Sequence, residues 1–222
     1  MARYLIFDSG PIISLSMNGM LYILEELKKN FDGEFIITPQ VKNEVVDKPL
    51  KIKKFEFEAV RVAYLIEKGI LKLSSSIVPN DKLNEETARI KNQVNSQFYS
   101  DNKNIELIQE GEAACLALAN LCNCKNLLVV DERTTRLLVE SPESLKKIME
   151  NKLHTRIKTR GNFEFLKNIQ VIRTAELLFI AYKKNLLGLK KDKLTLDSIL
   201  YASKFKGTAI STKEIEEIKK LV

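Results

Sequence analysis

Arg3-Tyr4-Leu5-Ile6-Phe7-Asp8-Ser9-Gly10-Pro11 decides the fold of this 222-residue chain. Tyr4 to Phe7 is an unbroken apolar run, the mark of a strand buried on both faces, and Asp8 ends it. Pro11 follows at once, its fixed φ already suited to the first turn of a helix. A strand that feeds directly into a helix is half of a parallel α/β unit. The same junction recurs along the chain. Phe35 to Ile37 reads as a strand, and Thr38 with Pro39 opens a helix through Val41, Glu44 and Val45. From Ile52, the positions Phe55, Ala59, Val62 and Ile66 recur at helical spacing up to Gly69, and Ile70 to Leu73 reads as another strand. Gly111 to Ala119 is a helix of small residues, Leu127 to Val130 a strand ending at Asp131, and Thr134 to Val139 a helix that Asp131 can cap. Val171-Ile172 is a short strand after which Thr174 caps a helix through Leu187, with Gly188 to stop it. Ser211-x-x-Glu214 is a capping box for the last helix.

This alternation predicts a parallel sheet covered by helices on both faces, in one elaborated domain over residues 1–222 with insertions at about 75–105 and 141–168. In the first insertion Leu83, Thr87, Ile90, Val94 and Phe98 keep a three-to-four spacing, which fits a long helix or one arm of a hairpin. In the second, Ser141-Pro142-Glu143 starts a helix whose Leu145, Ile148, Met149 and Leu153 are expected to dock on the body.

Composition narrows the function. Lys plus Arg number 36 and Asp plus Glu 29, a formal charge of +7 that suits a polyanionic partner. Apolar runs are far shorter than the ~20 residues a membrane helix needs, so no membrane association is expected. The N-terminus reaches a strand with no basic and apolar leader, which predicts a cytoplasmic protein. Cys115, Cys122 and Cys124 are odd in number and read as packing or loop residues rather than a disulfide framework. The only histidine, His154, lies thirty positions past the last cysteine, which argues against a structural zinc site. It has no nucleophile beside it and reads as a surface residue, so histidine-based proton transfer is not the expected chemistry. Carboxylates or a metal must do the work of any enzyme here.

Ligands of open parallel sheets bind beyond the carboxyl ends of the strands. Asp8 and Asp131 both stand there, and Glu44 and Glu112 lie near helix starts that face the same edge. Each has an ordinary alternative. The aspartates can serve as helix caps, and the glutamates can be surface residues favoured by a helix dipole. Together they form a set of hard oxygen donors that suits Mg²⁺ or Mn²⁺. Such ions polarise a phosphodiester and activate water without a protein nucleophile.

Asp8-Ser9 after the first strand, Thr38-Pro39-x-Val41-x-x-Glu44, Gly111-Glu112-Ala113 heading an alanine-rich helix, and Asp131-Glu132-Arg133 after a strand, in this order, resemble the PIN-domain ribonuclease family. The resemblance covers most of the chain and implies a three-layer α/β/α PIN-like fold with a central, mostly parallel sheet. It implies that Asp8, Glu44, Glu112 and Asp131 bind one or two Mg²⁺ or Mn²⁺ ions and direct RNA hydrolysis. Glu110 and Glu132 are adjacent alternatives for the third and fourth acids. Ser9 matches the small hydroxyl residue common beside the first aspartate. Arg136, with no assigned role, and Arg156, Lys158 and Arg160 of the second insertion are candidates for substrate contact. A resemblance to the toxins of VapBC-type pairs implies RNA as substrate, an antitoxin protein as partner and a homodimer. The alternatives are a non-catalytic RNA-binding or scaffolding domain of this family and a metal-dependent DNA nuclease. The long spacings from Glu44 to Glu112 and over 141–168 depart from a compact member of the family.

Overall fold

A computed structural model describes residues 3–122 and 125–222 of the chain. In chain order they form β1 (Arg3–Phe7), α1 (Ser9–Met17), α2 (Tyr22–Lys29), β2 (Glu34–Ile37), α3 (Pro39–Lys42), α4 (Glu56–Glu67), β3 (Leu71–Leu73), α5 (Asn80–Asn95), β4 (Phe98–Ser100) and β5 (Lys103–Asn104). The second half adds α6 (Glu110–Leu121), β6 (Lys125–Val129), α7 (Arg133–Glu140), α8 (Pro142–Leu153), β7 (Lys158–Thr159), β8 (Val171–Ile172), α9 (Thr174–Lys183), α10 (Lys193–Phe205) and α11 (Thr212–Lys219). Cys124 lies outside the described residues.

Five strands form one sheet in the order β3-β2-β1-β6-β8, and all four ladders are parallel. β1 runs through the middle, Leu5 opposite Phe35 on one side and Leu127 on the other. Ile6, Phe7, Phe35, Ile36, Ile37, Leu128 and Val129 are wholly buried. A central parallel sheet flanked by helices has no solvated face, hence the unbroken apolar runs. Ala113, Ala114, Ala117 and Ala119 of α6 are buried as well, and their small side chains let that helix lie close on the sheet. Because the strands run one way, the residues that follow β1 and β6 emerge at the same edge.

Several local expectations change. The Thr38 cap holds, its Oγ1 accepting the Val41 amide at 3.2 Å. The helix behind it runs as regular α only to Lys42 and widens into a π turn over Asn43–Asp47. A π turn carries an extra residue per turn and is frequent at functional sites. Glu44 sits in it. Thr174 is the first helical residue of α9 and not its cap, which is Arg173. That helix stops at Lys183, short of Leu187, because Asn185 takes the left-handed conformation at φ 59°.

The first insertion is a helix followed by a hairpin: Leu83, Thr87, Ile90 and Val94 are buried along α5, while Phe98 belongs to β4. Asp101 and Asn102 join β4 to β5 with φ of 48° and 62°, as a two-residue type I′ turn requires. β7, from the second insertion, pairs antiparallel with β4, so the two insertions build one three-stranded sheet, β5-β4-β7. In α8, Leu145 and Met149 are buried, but Leu153 is about half exposed and does not dock as its spacing suggested. His154 ends α8 on the surface in a left-handed conformation, φ 50°. No helix among the described residues is long and apolar enough to cross a membrane.

Candidate functional site

Asp8 is the buried centre of the acidic edge, 5% exposed. Its amide donates to the Val129 carbonyl at 3.0 Å, which fixes the end of β1 against β6. Asp8 occupies the position before α1 but makes no side-chain capping bond there. Its carboxyl is pushed up from 3.8 to about 7, first by burial, then by the charge of Glu112, with Glu44 adding to it. The Ser9 and Gly10 amides pull it back only part of the way. Ser9 is half-buried as the first residue of α1, and its contribution here is that amide.

Glu44 and Glu112 come to Asp8 from different elements. The π turn carries Glu44 to the start of α6, where the Gly111 position is filled by its carboxylate: a Cβ there would stand 2.8 Å from Glu44 Oε1. That start also offers unpaired helix amides and the positive end of the dipole. Glu112 Oε2 accepts the Gln109 amide at 3.1 Å as one half of a capping box. The Cys115 thiol lies within reach of the same three charges. Burial raises its pKa well above the ordinary thiol range, and Asp8, Glu112 and Glu44 raise it further. Its Sγ lies 3.7 Å from the Phe7 carbonyl.

Asp131 is equally buried, 3% exposed, but otherwise engaged. Oδ1 accepts the Thr174 amide at 2.8 Å, and Oδ2 accepts the hydroxyls of Thr174 at 2.8 Å and Thr208 at 2.9 Å. It therefore closes the start of α9 and does not cap α7, where Glu132 accepts the Thr135 amide at 2.7 Å. Burial raises its pKa, and these three bonds oppose the rise. Gly10 lies between the two aspartates, since a Cβ there would be 3.7 Å from both Asp131 Cβ and Asp8 Oδ2. Thr174 and Thr208 are the partners the sequence did not reveal. Nothing in their spacing from Asp131 marks them, because the contacts span 43 and 77 residues.

Of the alternative acids, Glu110 is exposed and paired with Lys91 at 2.9 Å, and Glu132 is the α7 cap. Arg136 is held by acids of its own, 3.9 Å from Glu140 and 3.6 Å from Glu214. Glu214 also binds Arg173 at 2.6 Å, and its pKa falls to about 2 although burial alone would raise it. Arg156, Lys158 and Arg160 are exposed on and beside β7.

An apolar groove of about 490 Å³, lined by Ile12, Met17, Val45, Phe55 and Ala59, has Glu44 at its margin. Phe57 is 70% exposed, with the Arg61 guanidinium 5.9 Å from its ring centre.

Among the described residues, no three carboxylate, imidazole or thiol groups converge closely enough to hold a metal ion as they stand. The donor chemistry still fits a hard divalent ion. Asp8, Glu44 and Glu112 are oxygen donors whose charges reach one another, and Asp8 lacks the offset that would keep it ionised when buried. Asp131, whose Oδ1 accepts only the Thr174 amide, keeps a free lone pair with which it could join them while its bonds to Thr174 and Thr208 hold it in place. Comparison with known proteins adds no family: no protein-family model matches the chain, and no curated protein matches it.

Proposed function

We propose that this chain is a metal-dependent endoribonuclease with a three-layer α/β/α PIN-like fold, hydrolysing phosphodiester bonds of single-stranded or structured RNA. The observation that carries the proposal is the Asp8 carboxyl, buried at the carboxyl edge of a parallel sheet with two further carboxylate charges upon it. Such an arrangement weakens the fold unless it is used. Perturbed, desolvated carboxylates at a strand end are where function is first sought.

Asp8, Glu44 and Glu112 would hold a Mg²⁺ or Mn²⁺ ion, which when bound supplies an activated water and stabilises the departing oxygen. Asp8, the most buried of the three, fixes the position of the site through its backbone bond to β6. The neighbouring Ser9 and Gly10 amides favour its charged form. Glu44 reaches the site because Gly111 has no side chain, and Glu112 is held by its bond to the Gln109 amide. Asp131 acts as a positioning residue: it ties β6, α9 and the 208–209 segment together below the edge, with Ala209 donating to its carbonyl at 3.0 Å. The net charge of +7 favours a polyanionic substrate.

The test is cleavage of mixed RNA and DNA oligonucleotides by wild type and Asp8→Asn in Mn²⁺, Mg²⁺ or EDTA. RNA cleavage that needs the metal and Asp8 is the expected result. Full activity in EDTA, or equal rates in the variant, refutes the site. Cleavage confined to DNA identifies a DNA nuclease instead, and binding of RNA without cleavage a scaffolding domain.

A further inference from the structure

The two insertions meet in the sheet β5-β4-β7, and the outer face of that sheet is not accounted for by the acidic edge. The chain from Arg156 to Arg160 alternates. Ile157 is wholly buried and Thr159 half-buried, while Arg156, Lys158 and Arg160 are exposed. What reads as a charge run in sequence is thus a strand with its cations on one side and packing residues on the other. β7 itself covers Lys158–Thr159, and the burial alternation continues on either side of it, so all three cations stay on the exposed side. No acidic residue interrupts the chain from Asn151 to Gly161.

Cross-strand pairing extends this row. Lys158 stands opposite Tyr99, and Tyr99 opposite Asn104, so the three share a face. The Arg160 guanidinium lies 4.3 Å from the centre of the Tyr99 ring and donates to Asn104 Oδ1 at 2.9 Å. A guanidinium laid on a tyrosine is a planar platform on which a base can stack. The inner face anchors the sheet. Phe98 is buried and stacks on Phe163 at 5.3 Å, the Arg160 amide donates to Gln97 O at 2.8 Å, and the Ile157 amide donates to Glu150 Oε1 at 2.9 Å. This surface is therefore held in place and is not a mobile basic loop. It is also tied to the acidic edge, because Gln109, whose amide Glu112 accepts, lies only five positions beyond Asn104. Five residues span at most about 17 Å.

We infer that the outer face of β5-β4-β7 is a track for single-stranded RNA, with Arg156, Lys158 and Arg160 on successive phosphates and the Arg160–Tyr99 pair beneath a base. This inference deepens the proposed nuclease and rests on it for the identity of the strand. A row of exposed cations on and beside a strand that is paired into a sheet matches an extended polyanion, and the stacking platform needs an unpaired base.

The experiment measures binding of a short fluorescein-labelled single-stranded RNA by anisotropy in EDTA, across a salt series, with cleavage scored separately in Mn²⁺. Each lost single-strand contact lowers the slope of log affinity against log salt by about 0.7. Arg156→Gln, Lys158→Gln and Arg160→Gln together should lower it by about 2, so between ~50 and ~200 mM salt the wild type loses roughly 20-fold more affinity than the variant. Because Arg160 also bonds within the sheet, Lys158→Gln alone serves as a second variant. It should lower the slope by about 0.7 with no change in melting temperature. Unchanged slopes in both variants overturn the track. Tighter binding of duplex than of single-stranded RNA also overturns it. If the slopes fall but wild type cleaves nothing, the track stands and the nuclease falls. If wild type cleaves and the slopes are unchanged, the track alone falls.

Discussion

Asp8→Asn should make the metal-free protein more stable at pH 8 and inactive at the same time. The folded Asp8 carboxyl holds its proton to about pH 7, whereas an unfolded one releases it near 3.8. Between those values the folded state binds more protons than the unfolded state, so stability must fall as pH rises. The full difference corresponds to about 4 kcal/mol, an upper value for one group. More than half of it is lost between pH 5 and pH 8. An asparagine has the shape of the protonated acid and cannot ionise, so it keeps the low-pH stability. The assay is urea denaturation of both proteins in EDTA from pH 5 to pH 8, with stability taken at each pH. Wild type should lose a few kcal/mol more than the variant over this range, and the variant should be the more stable protein at the upper end. Repeating the series in Mn²⁺ should restore the wild type at pH 8 and leave the variant unmoved. Equal pH slopes in EDTA, or a variant less stable than wild type at pH 8, would show that Asp8 is not the strained group described above.

Mn²⁺ should raise the melting temperature of wild type through about 2.7 kcal/mol at one hundred times Kd, and Glu44→Gln with Glu112→Gln should abolish most of that rise. A shift of the same size in the double variant, read by differential scanning fluorimetry, would remove both glutamates from the site. Gly111→Ala should leave stability within about 1 kcal/mol of wild type, since alanine favours a helix and only the flexible end of Glu44 must move. Cleavage should nevertheless drop, because the displaced atom is the carboxylate itself; full activity in this variant refutes the placement of Glu44. Asp131→Ala should cost about 3 kcal/mol or more, as the Thr174 amide and two buried hydroxyls lose their acceptor. Chemical denaturation measures this cost, and a loss below about 1 kcal/mol would contradict the anchoring role given to Asp131.

Most of the strands and helices, and the edge at which the acids emerge, are legible in local patterning. Apolar runs such as Tyr4–Phe7 and Leu127–Val130 can only be buried strands, and a strand run that ends in an aspartate and a helix start leaves that aspartate at the sheet margin. Local chemistry of this kind is written within a few residues, and Thr38, Gly69, Ser211 and Glu214 behave as their neighbours dictate. What the acids do there was decided only by tertiary structure. Asp8 and Asp131 have the same sequence context, yet Asp8 faces two carboxylates while Asp131 is taken up by Thr174 and Thr208. The π turn that carries Glu44 to Gly111 was likewise unreadable, since the contact joins residues 67 positions apart. The accessory sheet shows the same limit in its plainest form. Arg156, Lys158 and Arg160 are a charge run until β4, from the other insertion, pairs with β7 and gives the segment two faces. Periodicity within a segment is a local property that short-range sterics enforce, whereas the partner a side chain meets across the fold depends on where distant elements pack.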